Sequence, residues 1–249
     1  MMRLTSQSVF KSGRSFLGTA VTQAASAPVE TTSREERRRE QILDAATKLF
    51  SEKGYADTDT QLLADQLKVG KGTLYRYFPS KRELFLAAAD RGMRRLCQYI
   101  DQSIAEIQDP PERIAQVVRS YLTFFADHPE LCELLINERA LFKDRKKPTY
   151  FEHKEANRER LRVLYRSYIA EGQIRDMPVD RILDVLGDLL YGTMFTNYFS
   201  GRQKSVEEQT RDILDIVFHG ILSEVGRERR GPTETGLPRE PESASDAPD

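Results

Sequence analysis

Thr58-Asp59-Thr60-Gln61-Leu62-Leu63-Ala64-Asp65-Gln66-Leu67-Lys68-Val69-Gly70-Lys71-Gly72-Thr73-Leu74-Tyr75-Arg76-Tyr77-Phe78-Pro79-Ser80-Lys81-Arg82-Glu83-Leu84 is the stretch that decides the fold. Thr58 and Gln61 have capping-box spacing and predict a short helix through Leu63, Ala64 and Leu67. Lys68-Val69-Gly70 breaks it, and Lys71 to Phe78 forms the next helix. Leu74 and Phe78, four apart, share a face that can pack with Leu63, Leu67 and Val69. The opposite face turns Lys71, Thr73, Arg76 and Tyr77 to solvent. Two short helices about a tight turn, the second presenting long donors, have the geometry of a major-groove reader. Ser80 and Glu83 form another capping box and start a third helix at once.

Upstream, Ser33-Arg34-Glu35-Glu36 is a capping box, and Ile42, Ala45, Ala46, Leu49 and Phe50 follow one helical stripe that Gly54 ends. Downstream of Pro79 the period stays helical to about residue 226. A connecting helix carries Leu84 to Ile104, and Pro111 and Pro129 open the next two. Further helices follow near 150–170, 180–200 and 206–225. No period-2 strand pattern occurs, so the fold class is all-α: an N-terminal three-helix helix-turn-helix domain joined to a C-terminal helical bundle. The expected boundaries are an arm at 1–32, the helix-turn-helix domain at 33–79, a sensing and dimerisation domain at 80–226, and a tail at 227–249. Arg3, Lys11 and Arg14 face no acid in residues 1–29, which reads as a disordered arm or a start placed too early. Residues 231–249 set one basic against five acidic side chains, the composition of a disordered acidic tail.

The chain has 249 residues with 39% hydrophobic and 31% charged, a profile expected of a soluble cytoplasmic protein. Its net charge of -1 excludes nothing about nucleic acid, because only the local distribution matters. No apolar run is long enough to span a bilayer. Cys97 and Cys132 lie in helical apolar patterns without metal-ligand spacing, and His128, His153 and His219 are scattered. No metal site or cofactor is expected. Asp127-His128 with Cys132 is the only arrangement a catalytic reading could use, and it lacks a third orienting group; no catalytic residue is assigned.

The sequence resembles the TetR family of transcriptional regulators. The resemblance is carried by Ile42 to Phe50, Gly54-Tyr55, Leu62-Leu63-Ala64 and above all Gly72 to Leu84, and spans roughly residues 34–90. Lys68 departs from it, standing where a glycine often makes the turn, and Gly70 stands where a Ser or Thr often caps. Gly70 therefore offers a phosphate only a backbone N–H. Thr58 and Thr60 can donate hydroxyl and backbone N–H groups to phosphate. Lys71 and Thr73 are placed for base edges, and the small Gly72 lets the helix approach the groove. Arg76 can bond phosphate or base, and Tyr77 a phosphate or a thymine methyl. The resemblance implies phosphate contacts from Tyr75 and Lys81. Across residues 34–83, 11 basic side chains oppose 9 acidic ones, so affinity must come from the placement of a few cations.

The helices near 180–200 and 206–225 are apolar on more than one face, Leu189 and Phe218 being examples, so each must be buried twice. The resemblance implies a homodimer in which these helices pair with their symmetry mates, setting two recognition helices on a palindrome in double-stranded DNA. Tyr121, Phe125, Tyr165, Met194, Phe195 and Tyr198, with Asn197, are candidates for lining an effector cavity. Few charges on the inward faces point to a small apolar or aromatic effector. The function this implies is a repressor released from its operator by such an effector. The alternatives are a TetR-like regulator answering to a partner protein, or acting as an activator, and a helical scaffold with a vestigial motif.

Overall fold

The computed structural model describes residues 33–224. Both the arm and the tail expected from composition lie outside the described residues. The chain divides into two compact units, Met1–Arg38 and Arg39–Asp249. Of the first, the described part is the opening of α1, where the Ser33 hydroxyl accepts from Glu36 N–H at 3.1 Å and Glu36 accepts from Ser33 N–H at 2.8 Å. This is the expected capping box.

The described residues form nine helices and no strand: α1 Arg34–Asp57, α2 Thr60–Gln66, α3 Lys71–Tyr77, α4 Lys81–Ser103, α5 Pro110–Asp127, α6 Pro129–Leu141, α7 Thr149–Ala170, α8 Val179–Ser200 and α9 Val206–His219. Gly54 breaks α1 with φ 75 and ψ 169, and one further turn follows to Asp57. Ser80 caps α4 by accepting from Glu83 N–H. Helix α5 starts one residue before the sequence suggests. Asp109 caps it and Pro110 takes the first position, because the Asp carboxylate can accept from Glu112 N–H. Helix α9 stops at His219 rather than near 225, since Gly220 at φ 74 ends it. A reciprocal box between Ser205 and Glu208 opens it, a signal the sequence carries and the reading above passes over.

Two cores matter for function. The head core joins Leu43, Phe50, Leu63, Leu74, Phe78 and Phe85 from α1 to α4, and α6 and its following turn add Leu134 and Phe142. Packing therefore crosses the expected boundary after Pro79: the head borrows two apolar side chains from more than fifty residues downstream. The second core gathers Leu96, Val118, Tyr121, Leu131, Leu190 and Met194 from α4, α5, α6 and α8. At Gly92 a Cβ would overlap Leu131 Cδ1, so α4 and α6 touch at a point where no side chain fits without displacement. Arg158 of α7 ties α8 by hydrogen bonds of 2.7 Å to both Asp180 and Asp184. No helix among the described residues is long and apolar enough to cross a membrane.

Candidate nucleic-acid interface

Helices α2 and α3 pack at the front of the head, with Leu63 and Leu74 fully buried between them. The turn that joins them uses Lys68 at φ 53, the left-handed residue expected there, and Val69 N–H closes it on Ala64 O at 3.0 Å. Gly70 caps α3 with no side-chain bond, as its missing hydroxyl requires. Lys71, Gly72 and Arg76 are exposed and Thr73 half-exposed along one side of α3, while Leu74 and Phe78 are buried on the other. A Cβ at Gly72 would meet open space, so this position leaves the helix surface low for close approach.

Several expected contacts are engaged within the protein. Thr58 is buried, and its hydroxyl donates to Gly54 O at 2.6 Å. It neither caps α2 nor faces outward, which corrects both the expected Thr58–Gln61 box and the phosphate role for this hydroxyl. Asp59 is the cap, accepting from Gln61 N–H at 2.8 Å, because the Gly54 carbonyl, freed where the helix breaks, captures the threonine first. Thr60 is also buried, its hydroxyl 3.0 Å from Tyr75 Oη, so these two expected phosphate contacts form one unit. Lys81 donates to Ala56 O at 3.0 Å with its ammonium 4.7 Å from the Tyr55 ring centroid, closing the end of α1. Arg76 lies over the Tyr77 ring at 5.2 Å.

Two further residues shape this surface. Asp59 sits 3.8 Å from Lys71 and holds the leading cation of α3 beside α2. Arg39 covers the Phe78 ring at 5.1 Å. The Asp59–Lys71 pair could be sought from the cap position, since a cap carboxylate at one helix start faces the start of the next.

Behind the head, α5, α6 and α8 line a partly open cavity of about 270 Å³. Tyr121, Phe125, Met194 and Tyr198 line it as expected, with Cys132, Asn197 and Arg202 besides. Tyr165 and Phe195 do not: Tyr165 packs against Tyr168 in a separate cluster, and Phe195 meets Tyr191 edge-on and stacks on Phe199. All belong to aromatic stripes of the same period, and only the helix rotation separates wall from core. Tyr121 Oη lies 3.1 Å from Tyr150 Oη and donates to Met194 Sδ at 3.6 Å, and burial pushes its phenol well up. Burial also pushes the Cys132 thiol up to about 12, helped by Glu130. Tyr198, pushed up to about 12 by desolvation and by Glu133, donates to that carboxylate. Asn197 and Gln209 exchange amide bonds at 2.9 and 2.7 Å, so the Asn197 amide on the cavity wall is paired within the protein. Arg202 brings a cation to a wall expected to carry little charge. Among the described residues no His, Cys, Asp or Glu cluster could hold a metal ion.

Outside the cavity, α8 and α9 leave Val185, Leu189, Phe199, Ile216 and Phe218 exposed, Phe199 at 68%.

Residues 42–88 match the family described as "Bacterial regulatory proteins, tetR family". The chain is 37% identical over 86 residues to the HTH-type transcriptional regulator HbdR of Aromatoleum sp. (strain CIB), covering 34% of this chain and 38% of that protein, less than half its length. It is 33% identical over 150 residues to the nucleoid occlusion factor SlmA of Marinobacter nauticus, covering 58% of this chain and 72% of that one. Its fold is similar to that of the transcriptional regulator FadR from Bacillus subtilis, solved in complex with stearoyl-CoA, with a TM-score of 0.60 and 21% identity over 74% of this chain and 99% of that one. A reading head of this geometry, with a matching family segment across it and a relative aligned well beyond it, identifies the chain as a member of the TetR family of transcriptional regulators.

Proposed function

We propose that the chain is a homodimeric repressor that holds a palindromic operator in the cytoplasm and leaves it when a small, mainly apolar effector occupies the α5–α6–α8 cavity. The observation that carries this reading is the pairing of an outward α3 face with an aromatic-lined pocket in one chain. Residues 33–79 supply the reading head, completed by α6, and the rest of the described chain supplies sensing and assembly. Lys71 and Thr73 read base edges, and Gly70 and Gly72 admit the backbone. The coupled hydroxyls of Thr60 and Tyr75, with Arg76 and Tyr77, meet phosphates, and Lys81 adds charge from behind the end of α1. The exposed apolar stripes of α8 and α9 are the faces that pair in the dimer, as half-sites about one helical turn (~34 Å) apart require.

The cavity is at the small end for ligand pockets, which favours a compact effector. A chain as long as that of the stearoyl-CoA bound by the B. subtilis regulator would have to widen it. An effector preferring the released state ~100-fold shifts the equilibrium by about 2.7 kcal/mol, enough to relieve repression.

Selection of bound DNA from a random pool, followed by titration of the selected operator with apolar and aromatic carboxylates and acyl thioesters, tests the reading. Met194→Trp fills the cavity; the variant is expected to bind the operator like the wild type and to ignore the effector. An operator with no palindromic symmetry, or a Trp variant that still responds, sinks the corresponding half of the proposal.

A further inference from the structure

We propose that Phe142 and Asp144, in the turn between α6 and α7, are positioning residues for DNA recognition, fixing the angle at which the head presents α3. The inference rests on the reading of α3 as the DNA-contacting helix. Phe142 is buried in the head core although it lies 65 residues beyond Tyr77, the last residue of α3. Its ring meets Tyr55 edge-on at 5.0 Å and 85°, and Phe85 at 5.5 Å and 70°. Edge-to-face contacts are directional, so the ring sets the end of α1 against the first turns of α4 rather than merely filling space. Arg82 closes the arrangement: its guanidinium lies 4.9 Å from the Phe142 ring centroid and bonds Asp144 at 2.5 Å. The neighbouring Lys81 grips Ala56 O. Two consecutive cations at the start of α4 thus hold the end of α1 and the α6–α7 turn, and α3 hangs between them through Leu74 and Phe78.

The turn is itself braced. Glu138, 1% exposed, accepts from Thr149 N–H at 2.9 Å and from the Thr149 hydroxyl at 3.0 Å. Arg145 pairs with Glu138 at 2.9 Å and with Glu152 at 2.6 Å. A buried carboxylate with one oxygen, Oε2, left without a partner is costly, and what it secures here is a fixed 142–148 segment.

Asp144 separates positioning from plain charge. Its carboxylate is largely exposed and buries nothing, and it adds negative charge to a DNA-binding protein. On charge alone, its removal should leave DNA binding unchanged or tighten it. On the proposal, Asp144→Ala weakens the selected operator about threefold, spares non-specific duplex, and is rescued by Asp144→Glu. Phe142→Ala should cost on the order of tenfold, with Phe142→Leu intermediate. If Phe142→Ala does not fold by circular dichroism, the Asp144 variants decide. Hydrogen exchange on the DNA-free full chain supplies an arm independent of any operator: the amides of Lys71–Tyr77 exchange faster in Asp144→Ala than in the wild type. Unchanged exchange, or an Asp144→Ala operator affinity equal to or above the wild type, overturns the proposal. Failure of the wild type to select any DNA, with the exchange difference present, would overturn the reading of α3 and leave the brace established.

Discussion

The hydroxyls of Thr60 and Tyr75 meet at 3.0 Å, joining the first turn of α2 to the middle of α3. On the proposed reading, a tyrosine so held would present its oxygen to a phosphate in a fixed direction, with the threonine as its second partner. Tyr75→Phe and Thr60→Val should each weaken binding to all DNA sequences by about 1 kcal/mol. The double variant should fall short of the sum by at least ~0.5 kcal/mol. Additive losses in a double-mutant cycle would mean that each hydroxyl serves its own phosphate.

On the proposed reading, Asp59 competes with DNA for the Lys71 ammonium, which it meets at 3.8 Å. Asp59→Asn keeps a side chain able to cap α2 while freeing the lysine, so operator binding should tighten, by about two- to fivefold at low salt. Lys71→Ala should instead cost ~1–3 kcal/mol at one or two operator positions and little elsewhere. Anisotropy titrations against single-base operator variants check both.

With its thiol pushed up to about 12, Cys132 should be inert despite lining a cavity. At pH 8 the reactive thiolate is then scarce. Burial raises Cys97 as well. Neither should release thionitrobenzoate from Ellman's reagent within minutes in the native protein, and both should react in guanidinium. Rapid native labelling of Cys132 would show that burial does not shield its thiol.

Glu138 makes stability fall with rising pH over a defined window. Burial raises its folded value above the ordinary 4.5, against the pull of Thr149 and Arg145, so ionisation is harder in the folded chain than in the unfolded one. The contribution is intact below 4.5 and is lost as pH climbs through the raised folded value. Asp180 and Asp184 run the other way: hydrogen bonds from Arg162 and Arg158 lower them, and their contribution is lost as pH falls below the ordinary 3.8. Glu138→Gln should flatten the decline above pH 4.5 and leave the acid limb in place, as urea midpoints from pH 3 to 7 would report.

Leu189 and Phe218 lie on the uncovered faces of α8 and α9. Leu189→Glu or Phe218→Glu should bury an unpaired carboxylate in the dimer at a cost of several kcal/mol, giving monomers that bind the operator weakly. Sedimentation of the wild type as a monomer at micromolar concentration would defeat the dimer.

What the sequence made legible was local. Leu74 and Phe78 four apart, Ser80 three before Glu83, and Lys68 where a glycine is common all describe contacts within one turn of chain, and each reads directly into the fold. Asp59 displaces its neighbour Thr58, the expected cap, because of a carbonyl at Gly54 that only the broken helix exposes. Tyr165, Phe195 and Tyr198 share one periodicity, yet a helix's rotation against its neighbours puts only Tyr198 on the cavity. Phe142 sits in a Lys- and Arg-rich turn with no pattern of its own, so nothing in the sequence announces that it completes a core built by α1 to α4.

The left-handed Lys68 sets durability against attraction at a single codon. Holding a side chain at φ 53 costs ~1 kcal/mol that glycine would not incur, so Lys68→Gly should make the head harder to melt. The same exchange lowers the balance over residues 34–83 from +2 to +1, in a segment that has little cationic surplus to lose. A chain selected for heat resistance would drift to glycine here, and one selected to occupy its operator at low copy number would keep the strained lysine.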